Sequence, residues 1–371
     1  MKQVAKTAYL QIRKFLLHLF SVFIPNKRSA IADANFPKIL FVRIDRIGDM
    51  VLSTPAMKAL KQAYPRSEVT VLASPSNKDI LKHNPYVDRI VVYDKRHRFH
   101  EKLGLIRYLK GLRFDLAVDP YAGYELLTAL IVFFCGAPAR AGYGVDGREV
   151  FFNLETPSIT EGQHFIEMNL SVLKPLKVKA EDLKPELFLS ADEKTWAREW
   201  LNLRSFGKKP LVGVHPGAYY KSQRWPPEYF AELIDLLHAD GKADVLLFGG
   251  LGDKALCQRI EEKAATGVRS FFTNDIREFS ALLASCRVLV CNNSGPMHMA
   301  VALNVPTIST MGPTNKDRWM PLGPDHQVFR IDDLPCIGCN LGYCKIKTHN
   351  CMRLITPIMI RRAIYQFLNI S

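Results

Sequence analysis

Short apolar runs bounded by polar residues recur along this chain, and between them apolar positions repeat at helical spacing. Lys38-Ile39-Leu40-Phe41-Val42-Arg43-Ile44 is the first convincing strand, followed by helical periodicity from Val51 to Ala63 and a strand at Val69-Thr70-Val71-Leu72. Further strands are expected at Arg89 to Tyr93 and Phe114 to Val118, with helices around Leu103 to Leu112 and Glu125 to Phe134. Apolar strands alternating with helices of these lengths indicate βαβ units around a buried parallel sheet.

The alternation lapses between Leu176 and Ser190, where Lys177-Val178-Lys179-Ala180-Glu181-Asp182-Leu183-Lys184-Pro185 is polar and punctuated by proline. It resumes at Pro210-Leu211-Val212-Gly213-Val214 and continues through Val245-Leu246-Leu247-Phe248, Val268 to Phe272, Val288 to Val290 and Thr307 to Ser309. A chain of 371 residues is longer than one core usually fills. The expected fold class is therefore α/β, with two Rossmann-like domains whose parallel sheets face across a cleft. The expected parts are a basic amphipathic segment over 1–36, one α/β domain over 37–180, a second over 181–355 and a terminal helix over 356–371. That last helix, Pro357 to Leu368, is amphipathic and expected to pack back on the first domain.

Charge narrows the partners. A net charge of +14 calls for something acidic: nucleic acid, anionic lipid or a phosphorylated substrate. The basic residues are dispersed and no RNA- or DNA-binding motif occurs, so nucleic acid is not expected. Ala8 to Ile24 is strongly apolar, with Lys2, Lys6, Arg13 and Lys14 before or within it, and Pro25-Asn26-Lys27-Arg28 follows. Its uninterrupted apolar core, Phe15 to Ile24, is shorter than the roughly 20 residues of a spanning helix. It reads as an amphipathic helix on an anionic cytoplasmic leaflet, which implies a cytoplasmic protein held peripherally at the inner membrane; the alternative is a helix packed on the protein's own body.

Of eight cysteines, Cys135, Cys257, Cys286 and Cys291 lie in apolar segments and read as buried small hydrophobes in a reducing compartment. The others, Cys336-x2-Cys339-x4-Cys344-x6-Cys351, cluster around His349. Four thiolates suit a tetrahedral structural zinc, with free thiols or disulfides as the alternatives.

The candidate chemistry sits on loops that follow strands. Asn292-Asn293-Ser294-Gly295-Pro296-Met297-His298 joins a strand to a helix, where helix N-terminal N–H groups favour phosphate; a plain tight turn is the alternative. Val214-His215-Pro216-Gly217-Ala218 leads to Lys221, Arg224 and Trp225-Pro226. Lys221 and Arg224 offer cationic donors for a phosphate, or form a solvated basic loop anchored by the tryptophan. In Gly249-Gly250-Leu251-Gly252-Asp253 the glycines admit a nucleotide, while Asp253 either holds ribose hydroxyls or caps a helix. In the first half, Asp49 follows Gly48 at a helix start and is either a helix cap or a general base. Neither Gly-x-Gly-x-x-Gly after the first strand nor a Walker-type loop is present, which weakens dinucleotide and P-loop chemistry.

Taken in order, Arg43-Ile44-Asp45-Arg46-Ile47-Gly48-Asp49 with Pro55-Ala56, His215-Pro216-Gly217-Ala218, Arg224-Trp225-Pro226, Asn292 to His298 and Gly312-Pro313-Thr314 resemble glycosyltransferase family 9, the ADP-heptose:lipopolysaccharide heptosyltransferases. The resemblance covers roughly residues 37 to 370. It implies a GT-B fold and inverting transfer of a heptose from an ADP-linked donor to a lipid-linked glycan of the lipopolysaccharide core. It also implies an acceptor on the first domain, near Arg43 and Arg46, with Asp49 as catalytic base. The nucleotide-sugar would lie on the second, at His215, Gly217, Lys221, Arg224, Gly249, Asp253, Asn293, Ser294, Gly295 and His298. Two positions depart from the family pattern: Gln223 stands where Lys is frequent and Asn293 where Asp is common. Some members share a similar cysteine cluster.

The mechanism implied is displacement at the anomeric carbon through an oxocarbenium-like state. Lys221, Arg224 and the N–H groups around Ser294 and Gly295 would meet the charge developing on the departing diphosphate. With cations and helix termini in that role and no Asp-x-Asp motif, no cofactor is required for catalysis. Rival readings are a GT-B transferase or epimerase using another nucleotide-sugar, and a non-catalytic basic protein that binds membrane or nucleic acid.

Overall fold

A computed structural model describes residues 2–21, 35–156 and 161–369. The chain forms two compact units, Met1–Leu183 and Lys184–Ser371. In the first, β1 (Lys38–Arg43), β2 (Glu68–Ala73), β3 (Arg89–Val92), β4 (Leu116–Asp119), β5 (Ala139–Tyr143) and β6 (Leu154–Thr156) make one sheet ordered β3-β2-β1-β4-β5-β6. All its pairings are parallel. The second holds β7 (Leu211–His215), β8 (Asp244–Gly249), β9 (Ser270–Phe272), β10 (Val288–Asn292), β11 (Thr307–Thr310) and β12 (His326–Phe329), ordered β12-β11-β10-β7-β8-β9 and again parallel throughout.

The inner strands β1, β7 and β10 are buried along nearly their whole length, as a sheet covered on both faces requires. This explains why they stood out as unbroken apolar runs. Three strands escaped sequence reading. β5 is Ala-Arg-Ala-Gly-Tyr, β6 has only three residues, and β12 is His-Gln-Val-Phe and half-buried. Gly142 in β5 is required by packing, because a Cβ there would lie 2.4 Å from the ring of Phe152.

In each sheet the chain runs outward on one side of its first strand and then returns to the other side. The reversal falls between β1 and β4 in the first unit and between β7 and β10 in the second. Open α/β sheets bind ligands at the carboxyl ends of strands beside such a reversal. The expected α/β class with two Rossmann-like sheets is therefore the fold found.

The terminal helix Pro357–Leu368 differs from expectation. Its apolar face, Ile360, Ala363 and Ile364, joins the core of its own unit beside the helix Pro227–Asp240. The expectation that it packs on the first domain is corrected: the nearest apolar surface to a chain leaving this unit is the unit's own.

The N-terminal helix, Lys2–Ser21, packs on the first unit. Arg13 is buried and donates from Nη2 to the Asp146 carbonyl at 2.6 Å, Lys14 Nζ lies 3.8 Å from Glu149 Oε1, and Leu17 meets the core. Gly147, at φ 92°, lets the helix approach: a Cβ there would be 3.0 Å from Leu17 Cδ1 and 3.3 Å from Lys14 Cα. Tyr9, Ile12, Phe15, Leu16 and Leu19 remain exposed. One stripe thus packs on the body while another carries bare apolar side chains. Residues 22–24 of the expected apolar segment, and Pro25-Asn26-Lys27-Arg28 after it, lie outside the described residues. No helix among the described residues is long and apolar enough to cross a membrane.

Candidate active site

At the carboxyl end of β1 the backbone turns through Ile44-Asp45-Arg46 into a short helix, Ile47–Val51. Asp49 is the third residue of that helix, and its Oδ2 accepts the Arg46 N–H at 3.2 Å. The capping role is therefore real, and it engages one carboxylate oxygen. Burial pushes the carboxyl above its ordinary 3.8; the Arg43 guanidinium opposes this, and the Asp45 carboxylate adds to it. A half-buried carboxylate beside another carboxylate is a stronger proton acceptor than a free one.

Arg43 is not where an acceptor could reach it. It is 1% exposed, its Nη1 bonds Asp45 Oδ2 at 3.0 Å, and its Nη2 bonds Asn169 Oδ1. Asn169 in turn donates to the Leu52 carbonyl at 2.9 Å. The acceptor-binding expectation for Arg43 is corrected: the side chain of a strand's last residue points into the core here, so its charge serves the Asp45–Asp49 turn from behind. Arg46 is exposed beside Asp49. Asn77 completes the turn, donating to the carbonyls of Arg43 at 3.2 Å and Asp45 at 3.1 Å. Neither Asn77 nor Asn169 had a sequence signal, since each acts through a contact distant in the chain.

At the end of β4, across the reversal from β1, Asp119 and Arg148 form a fully buried ion pair at 2.5 Å. Arg148 Nη1 also donates to the carbonyls of Gly123 and Glu125, both at 3.0 Å. Burial pushes the Asp119 carboxyl up while Arg148 draws it down.

In the second unit four loops leave the carboxyl ends of β7, β8, β10 and β11, and one buried side chain ties those of β7, β10 and β11. Asn292 Oδ1 accepts the Trp225 N–H at 2.9 Å and the Thr310 hydroxyl at 2.8 Å, while its Nδ2 donates to the Pro216 carbonyl at 2.7 Å. A longer bond from Nδ2 reaches the Gly217 carbonyl at 3.5 Å, so every side-chain bond of Asn292 holds a backbone or hydroxyl group of a neighbouring loop. Trp225 is fully buried, with its indole N–H on the Ile355 carbonyl at 2.8 Å.

The expected donor residues divide. His215 ends β7, and its Nε2 is 3.9 Å from Asp253 Oδ2; burial pulls its pKa below the ordinary 6.5, against the pull of Asp253. Gly217 lies so close to both that a Cβ would be 2.7 Å from Asp253 Oδ2 and from His215 Cε1, so only glycine fits. Asp253 precedes the helix Lys254–Glu261 and makes no side-chain cap bond to it, which removes the cap alternative. Lys221 is exposed. Arg224 places Nε and Nη2 on the Ala218 carbonyl, at 3.0 and 2.8 Å, and so braces its own loop. Gln223, where the family frequently has Lys, accepts the Tyr220 N–H at 3.3 Å and donates to Thr314 Oγ1 at 3.1 Å.

Asn293 is buried, its N–H on the Thr310 carbonyl at 3.1 Å. Ser294 turns its hydroxyl back to the Asn292 carbonyl at 3.2 Å, leaving the helix Gly295–Ala302 without a side-chain cap. Gly295 opens that helix, and His298 is buried one turn in, its ring 6.3 Å from that of Trp319. Gly249 is a correction. A Cβ there would lie 3.0 Å from Cys257 Sγ and 3.1 Å from Phe272, so its missing side chain makes room for the core and not for a nucleotide.

The cysteines split as their surroundings suggested. Cys135, Cys257, Cys286 and Cys291 are buried, and burial raises each thiol. In the terminal cluster Cys351 is buried and raised to about 11, by burial first and then by Cys336, Cys344 and Cys339 nearby. The four thiols are neighbours, yet no three His, Cys, Asp or Glu among the described residues are arranged to hold a metal ion. Cys336, Cys339, Cys344 and Cys351, expected to hold a structural zinc, thus lie near one another without being set out as a ligand group among the described residues. Cys351 starts a short helix and turns its sulfur toward Gly312, whose Cβ would lie 2.9 Å away, so it packs inward while Cys339 is exposed.

Residues 103–348 match the sequence model of glycosyltransferase family 9 (heptosyltransferase). The chain is 28% identical to lipooligosaccharide heptosyltransferase 2 of Haemophilus ducreyi over 348 residues, covering 89% of this chain and 99% of the relative. It is 27% identical to lipopolysaccharide heptosyltransferase 2 of Escherichia coli, covering 79% and 88%. Among solved structures, the ADP-heptose lipopolysaccharide heptosyltransferase II of E. coli superposes with a TM-score of 0.75 at 25% identity, covering 90% of this chain and 98% of that one. A family 9 glycosyltransferase from Veillonella parvula gives 0.79 at 22%, covering 92% and 99%. A family match over most of the chain, together with two parallel sheets of the same architecture, leads to one conclusion: this chain belongs to glycosyltransferase family 9, the heptosyltransferases, and is a glycosyltransferase of GT-B fold.

Proposed function

We propose that this enzyme transfers a heptose, with inversion, from an ADP-linked donor to the lipopolysaccharide core, with Asp49 as general base. The observation that carries the proposal is the state of Asp49: a carboxylate at the reversal of the first sheet, raised by burial, with one oxygen committed to the Arg46 N–H. The second oxygen takes the proton of the acceptor hydroxyl as that oxygen attacks the anomeric carbon. The bond from that carbon to the diphosphate breaks on the opposite face, and ADP leaves with the electron pair. Lys221 and the N–H groups beginning the helix at Gly295 are the donors suited to the departing charge, with Arg224 bracing the loop that presents Lys221. The ADP-heptose assignment draws support from the relatives' names and from the Asn292-tied loops at the second sheet's reversal.

The exposed stripe of the N-terminal helix supports a peripheral attachment in which Tyr9, Ile12, Phe15, Leu16 and Leu19 enter an anionic leaflet at the cytoplasmic face. Residues 1–28 carry Lys and Arg and no acidic side chain, which favours anionic lipid over an acidic protein surface.

Two measurements test the reading. ADP-, UDP- and GDP-linked sugars are compared for thermal stabilisation of the enzyme, with the ADP-linked donor expected to stabilise most. Asp49→Asn keeps an oxygen for the Arg46 N–H but is no base; turnover should fall about 10²- to 10⁴-fold with ADP binding retained. Near-native turnover in this variant would remove Asp49 from the mechanism.

A further inference from the structure

The segment after β12 carries the cysteine cluster and has little regular structure, yet it is bonded to two of the four loops of the donor side. Ser222 Oγ donates to the Leu341 carbonyl at 2.5 Å, and His349 Nε2 is 2.7 Å from the Ser222 carbonyl. A carbonyl can only accept, so His349 carries its proton on Nε2 and donates. Farther along the segment, the Asn340 N–H bonds the Pro313 carbonyl at 2.7 Å and its side chain accepts the Asn315 N–H at 3.1 Å. The turn Lys221–Gln223 is thereby gripped on its carbonyl and on a hydroxyl by residues more than a hundred positions away.

His349 itself has φ 54° and ψ 30°, a left-handed conformation uncommon for residues other than glycine, though His is among those that adopt it most readily. Such backbone persists where surrounding contacts over-determine it. The contact in question is the bond to Ser222, one residue from Lys221 and two from Arg224.

We propose that His349 is a positioning residue for the nucleotide-sugar donor: from the cysteine-rich segment it holds the turn Lys221–Gln223 so that Lys221 meets the diphosphate. The inference rests on the reading that the donor occupies this loop. It gives the cysteine-rich segment a role that requires no metal.

The test compares the full-length enzyme with His349→Ala and His349→Gln, reading ADP binding by calorimetry and the separate KM values for donor and acceptor. His349→Ala should weaken ADP binding and raise donor KM by about fivefold to tenfold, the worth of one hydrogen bond, with acceptor KM unchanged. Gln reaches the same carbonyl with an amide N–H and should restore most of the loss. Should the alanine variant not fold, Ser222→Ala removes the second grip and should weaken ADP binding in the same direction. ADP affinity within twofold of wild type in a folded His349→Ala or Ser222→Ala protein would overturn the proposal, as would equal loss in Ala and Gln. If the wild-type enzyme itself does not bind ADP, the donor reading fails first, and the two failures are told apart.

Discussion

Asn292 Oδ1 accepts the backbone N–H of Trp225 at 2.9 Å across 67 residues of chain. The bond joins the end of β10 to the start of the Trp-Pro helix, at the reversal of the second sheet. Around it the same amide holds Pro216 and Thr310, so the loop after β7 and the ends of β10 and β11 are fixed to one another by one fully buried side chain. Asn292→Ala would strand the Trp225 N–H, the Pro216 carbonyl and the Thr310 hydroxyl. The expected cost is roughly 2–3 kcal/mol of unfolding free energy, read by urea denaturation, together with loss of ADP binding. A variant as stable as wild type, or one that keeps ADP affinity, would show that the loops hold their places without it.

Asp49 carries a pH signature. Its folded pKa is raised, and the base proposed for it works only when deprotonated, so on that reading activity is lost as pH falls through the raised value. The acid limb of kcat/KM should therefore lie above the ordinary carboxylate value of 3.8 and disappear in Asp49→Asn. An acid limb unchanged in that variant would assign it to another group.

The buried pair of Asp119 and Arg148 predicts a different profile. Arg148→Met leaves a carboxylate buried without its partner, which costs roughly 3–5 kcal/mol near neutral pH. Without the guanidinium, burial alone acts on Asp119 and its folded pKa rises further. A group whose folded pKa is raised contributes stability below its unfolded pKa and loses it as pH rises through the folded one. The stability gap between Arg148→Met and wild type should therefore narrow on acidification, as followed by urea denaturation at a series of pH values. A gap independent of pH would mean that packing, not charge, dominates the pair.

The exposed face of the N-terminal helix gives the last prediction. Ile12→Asp with Leu16→Asp replaces exposed apolar side chains and spares Arg13 and Leu17, which pack on the body. Co-sedimentation with vesicles containing anionic phospholipid should drop at least tenfold while the melting temperature changes little. Retention on the vesicles would place the lipid contact on another surface.

Much of the fold could be read ahead of the structure because burial on both faces writes itself into a parallel strand as unbroken apolar residues. β1, β2, β7, β8, β10 and β11 were visible for that reason. Loops were legible too, since Gly48-Asp49, His215-Pro216-Gly217 and Ser294-Gly295-Pro296 each follow a strand directly. Three strands were not: β5, β6 and β12 carry glycine, charge, short length or half-burial that breaks the apolar pattern.

By itself the chain's order of residues determined which strands form, where the loops fall and which residue types stand on them, because these follow from local periodicity and turn chemistry. Only tertiary structure decided which way each side chain faces. Arg43 and Gly249 occupy plausible ligand positions in the sequence, yet one points into the core behind Asp49 and the other yields its space to Phe272. Asn77, Asn169, Asn292 and His349 gained their roles through bonds to residues distant in sequence. No local pattern encodes such a bond, because its energy depends on two segments meeting that the chain itself keeps far apart.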